Sequence, residues 1–181
     1  MVNRRTIPFS LLIAMPVALA GCEEAPQTVS HHHLEGAWSL AQGAMKDAPL
    51  LVVVKGNPFS IPPGQLEASV VKIMTDAVTW TETPRFTTDP TEAVSQSLRI
   101  VMTFNAPEGT GPHEQCTEQS TGGGPLPEGR VRIIGTFCDA ATILVTVSGR
   151  AGDAAELQDP NTAGLVRQVT LDMLSPRQSG P

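Results

Sequence analysis

Apolar and polar positions alternate with a period of two in three stretches of the chain. Leu98, Ile100, Met102 and Phe104 alternate with Arg99, Val101 and Thr103, which predicts a strand with one strongly apolar face. Val131, Ile133 and Phe137 alternate with Arg132, Ile134 and Thr136, and Ile143, Val145 and Val147 alternate with Leu144, Thr146 and Ser148. The short link Asp139-Ala140-Ala141 between these two suits a hairpin. A continuous run, Leu50-Leu51-Val52-Val53-Val54, ends at Gly56-Asn57-Pro58 and predicts a buried strand. Two segments follow a helical period instead. After Pro62-Pro63, the residues Leu66, Val70, Ile73, Met74, Ala77 and Val78 share one face, with Glu67, Lys72 and Asp76 outside it. Asp159-Pro160-Asn161 can start a second helix with the stripe Leu165, Val166, Val169 and Met173, ended by Pro176.

The predicted order is β-α-β-β-β-α. Strands with one apolar face and two helices to cover it imply an α+β fold. Its expected form is a two-layer α/β sandwich, with a mainly antiparallel sheet of about four strands and one face toward solvent. A further short edge strand is expected near Arg85-Phe86-Thr87. Residues 48–176 form the single domain, and 177–181 a disordered tail. Residues 22–47 read as a flexible tether, polar from Glu23 to Ser30, with Trp38 and Leu40 touching the domain or forming a short helix. As a coil, such a tether has an end-to-end distance of roughly 28 Å. The connection from Asn105 to Gly129 is long and rich in Gly and Pro, a length that goes with function or disorder.

Composition agrees with one packed domain. Of 181 residues, 40% are hydrophobic and 17% charged, enough apolar surface for a core. With five Phe, two Trp and no Tyr, that core must be mainly aliphatic. The charge narrows the partners. The formal net charge is −6, and residues 1–21 carry Arg4 and Arg5 but no acid. Without them, twelve basic residues become ten against eighteen acidic ones, a net charge of −8. No basic cluster is visible in the sequence. That argues against nucleic acid and against electrostatic docking on anionic lipid.

The first 21 residues have the layout of an export signal. Arg4 and Arg5 are followed by the apolar stretch from Ile7 to Ala20, then by small residues leading to Cys22. The apolar run is shorter than the roughly 20 residues of a permanent membrane helix. Leu19-Ala20-Gly21-Cys22 resembles the lipobox of bacterial lipoproteins. The resemblance implies cleavage of a signal peptide at 1–21, diacylglycerol on the Cys22 thiol, and acylation, commonly with palmitate, of the new amine. More than one acyl chain gives a stable anchor. Glu23 stands where Asp commonly retains such proteins in the inner membrane, so the resemblance implies the outer membrane, with the domain facing the periplasm.

Candidate chemistry is sparse. Cys116 and Cys138 remain once Cys22 is lipidated, and in an oxidising compartment they are expected to form a disulfide. It would staple the long loop to the sheet and contribute about 3 kcal/mol in the chain-entropy model. The alternative is a thiol nucleophile assisted by His113, three residues before Cys116. His31-His32-His33 could bind zinc, copper or nickel, but consecutive side chains on an extended tether diverge and do not preassemble a tetrahedral site. Gly122-Gly123-Gly124 lacks the Lys and Ser/Thr of a phosphate loop and reads as a flexible loop. His113-Glu114 lacks the second His of a zinc protease, and no nucleophile elbow is found. Asp153, Glu156 and Asp159 near the last helix suit its N-terminus better than paired-carboxylate catalysis. Phe59, after the first strand, is expected to plug the core.

These features predict a non-catalytic accessory or binding subunit of the envelope, without a cofactor. It would be held at the periplasmic face of the outer membrane through Cys22 and act on another envelope protein or a lipidic ligand. The order of elements is similar to that of lipopolysaccharide-assembly lipoproteins and of auxiliary lipoproteins of lipid transporters, in architecture only. The alternatives are a periplasmic metal-binding lipoprotein using His31, His32 and His33, and an envelope hydrolase.

Overall fold

A computed structural model describes residues 25–81 and 85–175. The signal segment, Cys22, Glu23 and the tail from Pro176 onward lie outside the described residues. The element order is β1 (Gln27–His33), α1 (Ala37–Asp47), β2 (Leu50–Lys55), α2 (Pro63–Ala77), β3 (Phe86–Thr87), β4 (Leu98–Phe104), α3 (Pro112–Cys116), β5 (Val131–Asp139), β6 (Thr142–Ala151) and α4 (Pro160–Leu174). The class is α+β, built on one six-stranded mixed sheet in the order β1-β6-β5-β4-β2-β3. Pairings from β1 through β4 are antiparallel, and β2 runs parallel to both β4 and β3. No helix among the described residues is long and apolar enough to cross a membrane.

The strands and helices with clear periods stand where their patterns place them. Leu98, Ile100, Met102 and Phe104 of β4 and Val131, Ile133 and Phe137 of β5 enter one core with Leu66, Val70 and Met74 of α2 and Leu165, Val166, Val169 and Met173 of α4. β2 lies between β4 and β3 and is covered on both faces, which is why it reads as an unbroken apolar run. Phe59 packs edge-on against Phe104, with ring centroids 6.2 Å apart, and so closes one end of the core. α4 begins with Pro160 directly after Asp159, a position where the missing N–H costs no helical bond.

Three features depart from the expectation of four strands and two helices. First, residues 27–47 are not a free tether. Gln27–His33 forms the edge strand β1 along β6, and Ala37–Asp47 forms a helix. An edge strand needs a partner on one side only, so its polar sequence is tolerated. The buried stripe of α1 is Ala37, Ala41 and Met45, with a single large apolar side chain, which a search for runs of such side chains passes over. Trp38 stacks edge-on against Trp80 at 5.9 Å. Second, α3 forms inside the long connection. Third, the alternation in β6 is broken. Phe137 faces Val145 while Cys138 faces Ile143, so Leu144 is the extra residue of a bulge. One inserted residue changes the face of everything before it. Ile143 therefore leaves the main core for a second cluster with Val101, Cys116 and Cys138.

Close approach of α4 to the sheet depends on Gly135 in β5. A Cβ there would lie 2.6 Å from Val169 Cγ1 and 2.9 Å from Met173 Sδ. Gly135→Val should force the helix outward and cost about 1–3 kcal/mol, read by urea denaturation. An unchanged midpoint would show that α4 is free to yield.

Candidate functional site

The helices α1, α2 and α4 take one face of the sheet, so any site must use the other face, the loops or the edges. The strand register orders the second face into rows. One row runs Ile143, Cys138, Arg99, Leu51 and Thr87; the next runs His32, Thr146, Thr136, Val101 and Val53. Then come Val29, Ser148, Ile134, Thr103 and Lys55, and last Gln27, Arg150 and Arg132. The first two rows are largely buried. The last two are open across β1, β6 and β5.

A covalent clamp makes the covered half. Cys116 at the end of α3 is bonded to Cys138 of β5, with Cα atoms 5.6 Å apart. The thiol that a nucleophile would need is therefore absent, and His113 is exposed on α3. Side chains from the sheet complete the attachment. Arg99 Nη2 donates to the Cys116 carbonyl at 2.6 Å, and Thr103 Oγ1 donates to Gln115 Oε1 at 2.7 Å. Lys55 Nζ donates to the carbonyls of Glu118 and Ser120, each at 3.1 Å. Burial lowers the Lys55 pKa; the Glu118 carboxylate opposes that shift, and the Arg99 guanidinium adds to it.

The connection from Asn105 to Gly129 is thus ordered packing. In its run Gly122-Gly123-Gly124, the first two glycines are used for close approach and not for flexibility. A Cβ on Gly122 would overlap the backbone of Gly56, itself at φ +80°. Gly123 donates its N–H to the Phe104 carbonyl at 3.0 Å and accepts from Asn57 N–H at 3.1 Å. Asn105 Nδ2 holds the Gly124 carbonyl at 2.8 Å.

On the open half, a groove of about 590 Å³ runs over Val29, Ile134 and Ser148 toward Gln27, Arg132 and Arg150, walled by residues 106–110. A second hollow of about 660 Å³ continues past Arg130 to Asp153. Glu108, Arg132 and Arg150 line both. Arg132 and Arg150 are direct cross-strand partners, a placement in which like charges repel. Neither has a carboxylate within 4.0 Å among the described residues, whereas Arg99 has Glu118 at 3.5 Å and Arg130 has Glu128 at 3.6 Å. The sequence showed no basic cluster because 17 residues and a hairpin separate these two arginines. The alternation of β5 and β6 could have put both on one face, but their pairing depends on the register set by the bulge.

The three histidines do not converge. A register shift between Ser30 and His32 leaves His31 and His32 on the open side, where His31 Nε2 hydrogen-bonds Ser148 Oγ at 2.6 Å. His33 pairs with Val145, whose side chain enters the core. No group of three or more His, Cys, Asp or Glu placed to hold a metal occurs among the described residues. Near α4, the Asp159 carboxylate accepts the Glu156 N–H at 2.7 Å, closing the turn before the helix.

Two outcomes test this geometry. Replacing Cys116 and Cys138 with serine should lower stability by about 3 kcal/mol in chemical denaturation, since the clamp closes a loop of sequence separation 22; no loss would show that the sheet side chains hold α3 unaided. Replacing His31, His32 and His33 with alanine should leave zinc and copper uptake unchanged in equilibrium dialysis. Loss of a stoichiometric ion would make them ligands.

Compared with models of known families, the chain matches none, and no curated protein matches it. Among solved structures it is similar to a PelC variant from Paraburkholderia phytofirmans, a dodecamer, at 14% identity, over 84% of this chain and 98% of that one, with a TM-score of 0.38.

Proposed function

We propose that this chain is a lipid-anchored envelope protein that acts as a non-catalytic accessory or binding subunit at the periplasmic face of the outer membrane. The observation that carries the reading is Leu19-Ala20-Gly21-Cys22 after a basic and then apolar leader. The disulfide between Cys116 and Cys138 supports it, because such bonds persist in oxidising compartments. The open half of the second sheet face is the surface on which a ligand or partner would be received: a groove with an apolar floor and a few polar groups at one end.

The structure of β1 changes the geometry of the anchor. Five peptide steps separate Cys22 from Gln27, a reach of at most about 18 Å, in place of a long tether. A lipid on Cys22 would hold β1, and the groove beside it, against the membrane surface.

Cys22→Ser is expected to abolish incorporation of a labelled fatty acid and to move the protein from the membrane fraction to the soluble fraction. Continued labelling and sedimentation with membranes would overturn the anchor. Affinity capture of the lipidated protein from its own envelope should return the same companion protein repeatedly. Repeated recovery of the chain alone would count against the accessory role.

A further inference from the structure

We infer that Arg132 and Arg150, with Gln27 beside them, form an oxyanion site that takes the phosphodiester of a phospholipid headgroup in the leaflet to which the chain is anchored. Arg132 and Arg150 are direct cross-strand neighbours on β5 and β6, both exposed and both lining the groove. Each uses only one long bond among the described residues: Arg132 Nη2 to the Ala106 carbonyl and Arg150 Nη2 to Gln27 Oε1, both at 3.4 Å. A guanidinium carries five N–H donors in a planar fork, so most of the donor capacity of each is unused among the described residues. The two 3.4 Å bonds hold the forks toward opposite neighbours; an oxyanion in the groove would draw both toward itself, neutralise their mutual repulsion and accept charge-assisted bonds from both. Glu108 lines the same groove without an ion pair to either arginine among the described residues, so the groove itself carries two arginines against one carboxylate, while the adjoining hollow adds Arg130, Glu128 and Asp153.

The source of the anion follows from chain length, and this part rests on the lipid-anchor reading. Gln27 opens β1 and belongs to the arginine row. With Cys22 in the bilayer, the five intervening steps keep that row within about 18 Å of the anchor, close to the headgroup phosphates. The adjoining floor of Val29, 58% exposed, and Ile134 offers apolar contact to the glycerol and upper acyl region. The docking is local: two arginines placed by one hairpin, not a basic surface.

The test uses the full chain purified in a phosphate-free neutral detergent, with the side-chain Nε–H resonances of Arg132 and Arg150 followed by NMR. Titration with inorganic phosphate should shift both together and saturably. Transfer into phosphatidylglycerol nanodiscs should place both at the bound position with no phosphate added. Arg150→Gln should weaken phosphate binding at Arg132 by about tenfold or more while circular dichroism and melting temperature stay unchanged. Absence of any saturable shift, or an unaltered response in Arg150→Gln, overturns the oxyanion site. A shift with inorganic phosphate but none on transfer into nanodiscs overturns the lipid headgroup as its source. Mass spectrometry of the same preparation reads the anchor separately: an unmodified Cys22 would sink the anchor reading, while the phosphate titration would still decide the arginine pair.

Discussion

The bond between Cys116 and Cys138 divides the second face of the sheet, and the remaining surface chemistry follows from that division. A five-residue helix has too few internal hydrogen bonds to persist alone. Clamped to β5, α3 brings Cys116 into a cluster with Val101, Cys138 and Ile143 and lets Arg99, Thr103 and Lys55 anchor the loop from below. The clamp packs on β4, on the end of β5 that carries Cys138 and on the bulged start of β6. Beyond it, the faces of β5, β6 and β1 stay open and form the floor of the groove.

The two ends of that face differ in how they handle charge. Arg99 is 7% exposed and is matched by the Cys116 carbonyl and the Glu118 carboxylate, as burial of a cation requires. Arg132 and Arg150 are exposed and have no carboxylate partner among the described residues, so an anion from outside could pair with them. The placement of β1 ties this end to the N-terminus. An anchor a few residues upstream of β1 and an arginine pair on β5 and β6, in the row that Gln27 shares, would act on one surface, and the groove would open beside it.

Much of the fold was legible in the sequence. Periods of two and of 3.6 marked β4, β5, α2 and α4 with the correct inward residues, and the unbroken run at Leu50 marked a strand covered on both faces. The missed elements carry weak local signals for physical reasons. β1 is polar because only one edge and part of one face are buried. α1 buries two alanines and a methionine, which form a stripe too small to stand out. The bulge at Leu144 lies inside a run of apolar residues, where no choice of face is visible. Gly122-Gly123-Gly124 looked like slack chain because the contact that demands glycine is with Gly56, far away in sequence. The disulfide could be anticipated from cysteine number, whereas the arginine pair depends on a strand register that no local pattern states.

The division of the second face is tested most directly by amide hydrogen exchange on the oxidised and reduced protein. Reduction should speed exchange from Pro112 to Gly124 and leave the amides of β1, of β6 beyond its bulge and of α4 protected, because their bonds and core contacts do not pass through the clamp. Exchange that rises equally in β6 and α4, or that does not change around α3, would contradict the account.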